Sequence, residues 1–126
     1  MVEEMIEWSD IKHFTREEFA CKCCGVCEMD MDFVKSIDDI RDTLDMPLFI
    51  MSGYRCAKHN LEVDGKPNSA HLRGKAVDVK MELSRTRYVF LRIALKTFKR
   101  VGIGKTFIHV DCDDKILPTL VCWLYD

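Results

Sequence analysis

The order of apolar periodicities along this 126-residue chain predicts an α+β fold, with helices packed around a small, largely antiparallel sheet. Three observations carry that reading. Apolar residues recur at intervals of three and four over residues 32–44 and again over 84–98, which is the helical period. The stretches KAVDVKM, FIHVDC and TLVCWLY alternate or run apolar over strand lengths. The chain has 48% hydrophobic residues and no repeat or low-complexity segment. That is enough to bury a core without disulfides, so one domain over residues 1–126 is expected.

Each element follows from local chemistry. Thr15 opens TREEF with Glu18 three positions on, a capping box, and Phe14 and Phe19 are spaced to staple the start of a short first helix. From Asp32, the positions Phe33, Ile37, Ile40 and Leu44 form one face of a second helix that ends before Pro47. LFIM then reads as a buried strand. Residues 52–69, SGYRCAKHNLEVDGKPNS, are dense in Gly, Pro, Asn and Asp and carry a DG turn, so a loop or loosely structured crossing is expected. KAVDVKM follows as a strand, and SRTRYVFLRIALKTF as a helix with Tyr88, Leu91, Leu95 and Phe98 on one face. FIHVDC and TLVCWLY complete the sheet. The chain thus divides into a helical, cysteine-rich segment, 13–46, and a core, 47–126.

Charge and composition exclude several classes of partner. Nineteen basic and 21 acidic side chains give a net charge of −2, with no broad attraction to nucleic acid or an anionic membrane. No stretch approaches the roughly 20 apolar residues of a membrane span, and MVEEMIEWSDIKHF lacks the basic and apolar regions of a secretory signal. Cytosolic synthesis and no membrane insertion are expected. Seven cysteines in such a chain argue for thiols or metal ligands more than for a disulfide framework.

The stretch NSAHLRGKAVD sets His71 and Asp78 seven positions apart, and FIHVD supplies a second histidine, His109. Zinc accepts imidazole nitrogen and carboxylate oxygen at about 2.0–2.2 Å, and a catalytic site supplies three such ligands and leaves one position open. Strand alternation points Asp78 out of the sheet while Val77 and Val79 face the core, and points Phe107, His109 and Asp111 to one side. His71, Asp78 and His109 are therefore candidate ligands. Gly74 and Ala76 permit close backbone approach, and Ser69 is placed to hydrogen-bond within the loop and hold His71. On the residues alone, an exposed loop histidine, an edge-strand aspartate and a satisfied core histidine remain an alternative.

A second cluster, ACKCCGVC, holds Cys21, Cys23, Cys24 and Cys27, with CxxC spacings at 21/24 and 24/27 suited to a structural zinc. Four ligands from one tight turn would crowd the ion, and Cys56 is the candidate to join from elsewhere. Reduced, partly buried thiols or a disulfide formed in an oxidising medium remain alternatives. Cys112 and Cys122 are expected in the core, and His13 and His59 on the surface or in loops. Trp8, Trp123 and Tyr125 are expected in the core, with a sugar-binding surface as the other reading.

SGYRCAKHN, SAHLRGKAVD and GIGKTFIHVD together resemble the zinc D-Ala-D-Ala carboxypeptidase-like peptidases, a family that includes bacterial cell-wall enzymes and phage endolysins. Ser69, His71, Gly74, Ala76 and Asp78 match its SxHxxGxAxD pattern, and His109 with Asp111 match its later HxD. HFTREEFACKC is similar to the opening of small members, so the resemblance covers about residues 13–112. It implies a hedgehog/D-Ala-D-Ala-peptidase-like fold, one catalytic Zn²⁺ on His71, Asp78 and His109, and hydrolysis of peptidoglycan stem peptides beside D-alanine or a similar residue. Arg55 matches the arginine that meets the substrate, and a guanidinium can bind a carboxylate or a developing oxyanion. Relatives often carry an acid three positions before the last histidine, where this chain has Thr106. Asp111, at about 6.6 Å from His109 by strand rise, is then read as the general base. Orienting His109 or capping the strand are its other roles, and Asp113 and Asp114 the later candidates. The missing acid also admits a non-catalytic zinc-binding module. A monomer acting on the wall after release, or as part of a virion, is expected.

Overall fold

The Thr15 capping box forms as the sequence requires: the Glu18 carboxylate accepts the Thr15 backbone N–H at 2.6 Å, and the Phe14 and Phe19 rings meet edge to face at 5.4 Å. These contacts start α1 (Arg16–Phe19) in a computed structural model that describes residues 5–125. Residues 1–4, part of the N-terminal stretch discussed above, and Asp126 lie outside the described residues.

Helix α2 (Met31–Leu44) begins where Asp30 accepts the Phe33 N–H at 3.1 Å, and ends at Asp45 in the left-handed region, two residues before Pro47. Its core face is Phe33, Val34, Ile37 and Ile40. Asp38 is buried on the same helix, where its carboxylate accepts the backbone N–H groups of Lys12 and His13 at 2.9 and 2.8 Å. A buried carboxylate is tolerated only with such partners, and here it pins the N-terminal segment to α2. His13 lies at the surface beside Asp42, and Trp8 packs on Phe19.

Strand β1 (Phe49–Ser52) leads to α3 (Ala57–Glu62), a short helix inside the stretch expected to be a loop. The DG turn and the Pro and Asn after it lie in its second half, beyond Glu62, while the Cys56 sulfur accepts the His59 N–H and starts the helix. A 3₁₀ turn, Ala70–Arg73, precedes β2 (Ala76–Lys80), followed by α4 (Ser84–Thr97). The buried residues of α4 are Phe90 and Ala94; of the expected face, Phe98 just past the helix is buried and Leu91 packs partly against the core, but Tyr88 and Leu95 are 65% and 54% exposed. The row spaced by four residues carries the two phenylalanines, and only one row can face the sheet.

Strands β3 (Arg100–Ile103), β4 (Phe107–Asp111) and β5 (Val121–Leu124) complete a five-stranded sheet of order β1-β2-β4-β3-β5. All pairs are antiparallel except β3 with β5. The sequence reading lacks β3, which is four residues long and contains a glycine. Cys122 is exposed on β5, contrary to expectation, because β5 is an edge strand whose outer residues alternate to solvent. Cys112 is half-buried against the core. One face of the sheet buries Val77, Val79, Val101, Ile108 and Val110 against α2 and α4. The other face is left to carry polar side chains.

Candidate functional site

Because β2 and β4 pair with Asp78 directly opposite His109, strand alternation puts both side chains on the polar face, touching. His109 Nδ1 lies 2.9 Å from Asp78 Oδ1. His71 comes from the 3₁₀ turn, where Ser69 Oγ accepts its backbone N–H at 3.2 Å and Gly74, at φ 68°, closes the turn. A side chain at Gly74 would collide with the Glu28 carbonyl and Met29. The glycine is therefore needed for approach to the segment before α2, whereas the sequence suggested a loop folding back on a strand. His71 Nε2 is thereby held 3.3 Å from Asp78 Oδ1.

The three inner atoms suit zinc. Ligands at about 2.05 Å on a tetrahedron are separated by about 3.3 Å, close to the 2.9 and 3.3 Å found here. Each outer atom is already engaged. His71 Nδ1 donates to the Gly53 carbonyl at 2.7 Å, His109 Nε2 lies 2.7 Å from Asp111 Oδ2, and Asp78 Oδ2 accepts from Arg55 Nη2 at 3.2 Å. Outer hydrogen bonds of this kind select the tautomer and orientation of metal ligands.

The charges agree with a site built around a cation. Burial raises the Asp78 carboxyl, but the hydrogen bonds from His109 and His71 outweigh it and hold Asp78 below the usual carboxylate range. Burial opposes charge on His109 as well, yet Asp111 and Asp78, one on each ring nitrogen, lift it to about 9. His71 is pushed down by burial, against the pull of Asp78. Without a metal, the His109 imidazolium bridges two carboxylates; with one, the ring must be neutral at Nδ1.

Three sequence expectations meet a different geometry. Asp111 is 1% exposed and committed, with Oδ2 on His109 and near Arg100 Nε at 3.5 Å, and Oδ1 accepting the Asp113 N–H. Arg55, expected to serve substrate alone, donates to Ser52 Oγ, Asn60 Oδ1 and Asp78 Oδ2. One N–H remains on each terminal nitrogen. Asp113 is fully buried against Arg73 Nε at 2.6 Å, and Asp114 and Thr106 are exposed and absent from the lining of the site cavity.

That cavity, of about 530 Å³, opens over the triad and is also lined by Arg55, Trp123 and Tyr125. The two aromatics, expected in the core, stand beside His109, with ring centroids at 5.6 and 6.4 Å. Gly102 is the reason: it pairs with His109 on one side and Trp123 on the other, and a Cβ there would strike both aromatic rings. Arg100 stacks over Trp123 at 5.0 Å. The alternation Val121, Trp123, Tyr125 signals a shared face, but which neighbour that face meets depends on the parallel β3–β5 pairing. The sulfurs of Cys21, Cys23, Cys24 and Cys56 gather at a second location, and Cys27 stands apart from them, packed against the core.

A family model described as peptidase M15 matches residues 12–113, more than three quarters of the chain. The chain belongs to the peptidase M15 family. Members are zinc D-Ala-D-Ala carboxypeptidase-like metallopeptidases, which act on peptidoglycan peptides. The match spans the whole triad, Arg55 and Asp111 of this M15 peptidase, and four of the cysteines precede β1 within it. No curated protein matches the chain. No helix of the M15 peptidase is long and apolar enough to cross a membrane, among the described residues.

Proposed function

We propose that this M15 peptidase hydrolyses peptide bonds in peptidoglycan stem peptides, as a carboxypeptidase or endopeptidase, with one zinc held by His71, Asp78 and His109. The observation that carries the reading is the triad itself: three converging donors at tetrahedral spacing, each fixed from behind by a hydrogen bond, at the floor of an open cavity. When bound, zinc supplies a Lewis acid that acidifies water and polarises the scissile carbonyl.

The chain's own residues supply orientation and recognition. Gly53, Arg55 and Asp111 hold the three ligands. Asp111 acts by keeping the proton on His109 Nε2, so that Nδ1 presents its lone pair to the ion. The two remaining N–H groups of Arg55 point a charge-assisted donor pair at a carboxylate or a developing oxyanion of the substrate. Trp123 and Tyr125 form an apolar wall for the stem peptide, and burial pushes the Tyr125 hydroxyl up to about 12, so it stays protonated as a donor.

One feature supports a second reading, a zinc-binding module without catalysis: Thr106 stands where relatives carry an acid, and it is exposed outside the cavity. A zymogram on purified cell walls separates the two. Clearing that disappears with a chelator and returns with zinc supports hydrolysis; an absence of clearing by the zinc-loaded, folded protein supports the module.

A further inference from the structure

We propose that Cys21, Cys23, Cys24 and Cys56 form a structural zinc site, distinct from the triad, that fastens the segment after α1 to the corner carrying Arg55. The inference does not rest on the peptidase reading. It rests on four sulfurs from two separate parts of the chain meeting at one point.

The spacing is that of ligands. The Cys21 sulfur lies 3.6 Å from both the Cys23 and Cys56 sulfurs, and the latter two are 3.3 Å apart. All four sulfurs lie within 4.8 Å of one another. Thiolates bound to zinc at about 2.3 Å on a tetrahedron are about 3.8 Å apart, so the Cys21, Cys23 and Cys56 sulfurs reach ligand spacing with shifts of a few tenths of an ångström and Cys24 with at most about 1 Å. The seven cysteines are all unlinked.

Local structure turns the sulfurs inward. After Cys21 the chain reverses through Gly25 at φ 75°, with Gly25 N–H donating to the Cys21 carbonyl and Cys21 N–H to Val26. Glycine adopts this left-handed conformation without the strain of an L side chain, and the reversal keeps Cys24 beside Cys21. Backbone N–H groups then point at sulfur: Cys56 N–H at Cys21 Sγ and His59 N–H at Cys56 Sγ, both at 3.4 Å.

Burial argues against the ordinary account of a cysteine. A cysteine kept for packing is buried, whereas Cys23 and Cys24 are exposed while Cys21 is buried and Cys56 half-buried. Cys27, which does pack against the core, lies outside the group. His59 and Glu62 also approach Cys23, but Glu62 is half exposed at the surface and the pair would leave three sulfurs unused.

The position gives the site a purpose. Cys56 follows Arg55, whose guanidinium holds Asp78; Tyr54 N–H bonds the Phe19 carbonyl at 2.8 Å; Gly53 receives His71. A metal joining Cys21 to Cys56 would therefore brace residues 53–56, from which two triad ligands are oriented.

Cobalt substitution of the reduced full-length protein tests this directly, because the triad contains no sulfur. A thiolate-to-cobalt charge-transfer band in the near ultraviolet can come only from cysteine. The expected result is a band of four-thiolate, tetrahedral intensity at about one cobalt beyond the triad's. It should be kept in Cys27→Ser, Cys112→Ser, Cys122→Ser, His59→Ala and His71→Ala, and lost or reduced to a three-thiolate spectrum in Cys21→Ser and Cys56→Ser. Absence of the band in the folded wild-type protein, or an unchanged band in Cys56→Ser, would overturn the site. Loss of the band in His59→Ala would overturn the ligand set. Failure of the peptidase reading would appear instead as an intact band with no hydrolysis.

Discussion

Asp111 and His109 are two residues apart on one strand, and the direction of one carboxylate decides what the aspartate does. With Oδ2 at 2.7 Å from Nε2, Asp111 holds the histidine, and under the proposed mechanism it orients His109 rather than taking a proton from water. Asp111→Asn should therefore weaken zinc binding by about 10- to 100-fold, the usual effect of losing such a partner, while kcat at saturating zinc changes little. Metal titration alongside kinetics checks this; unchanged affinity with a kcat loss of about 10² or more would return Asp111 to the role of general base. A pH prediction follows from the same ring. In the unfolded chain His109 titrates near 6.5, so its raised folded value of about 9 stabilises the metal-free protein fully below 6.5 and less as pH rises toward 9. His71, held neutral by burial, has the opposite dependence and loses stability as pH falls below 6.5. Thermal unfolding of chelated protein should thus show these two groups placing maximum stability near pH 6.5, and the alkaline decline should be absent when zinc is bound. A metal-free Tm that keeps rising from pH 6.5 to 9 would contradict it. The residue types and faces of Asp78, His109 and Asp111 were readable because a strand has period two. Which oxygen meets which nitrogen was not, since it depends on side-chain torsions. The Arg55–Asp78 contact joins residues 23 apart through a turn the sequence only outlines.

Elements position these residues through close backbone approaches. Gly74 lets the 3₁₀ turn lie against residues 28–29, with Asp30 N–H donating to the Gly74 carbonyl at 2.9 Å. Gly74→Ala adds both an unfavourable left-handed conformation, of order 1–3 kcal/mol, and a collision with the Glu28 carbonyl. It should lower Tm by at least about 3 °C and weaken zinc retention, because His71 lies on the same turn; calorimetry showing no change would contradict that account. The strong local signals, the capping box at Thr15 and the alternation of β2 and β4, survive in the structure because tertiary packing agrees with them. Helix α4 shows the limit: two apolar rows are present, and only the sheet surface selects Phe90 and Ala94 over Tyr88 and Leu95. Helix α3 was hidden because its cap is a cysteine sulfur, outside the usual set of capping residues.

At the scale of the molecule, the five-stranded sheet separates two tasks: one face buries the aliphatic core against α2 and α4, and the other presents the triad and the cavity. The α+β class was legible from the order of periodicities, but the parallel β3–β5 pairing was not. That pairing is long-range, and it is what brings Trp123 and Tyr125 over His109. In the proposed mechanism hydrolysis depends on zinc at His71, Asp78 and His109. The most direct measurement is the rate of new amino-group release from purified peptidoglycan as metal-free protein is titrated with zinc, run beside His71→Ala. The expected result is no release without metal, a rise in proportion to zinc bound at the triad, and no rise in the variant. Release by the metal-free protein, or equal release by His71→Ala, would contradict it.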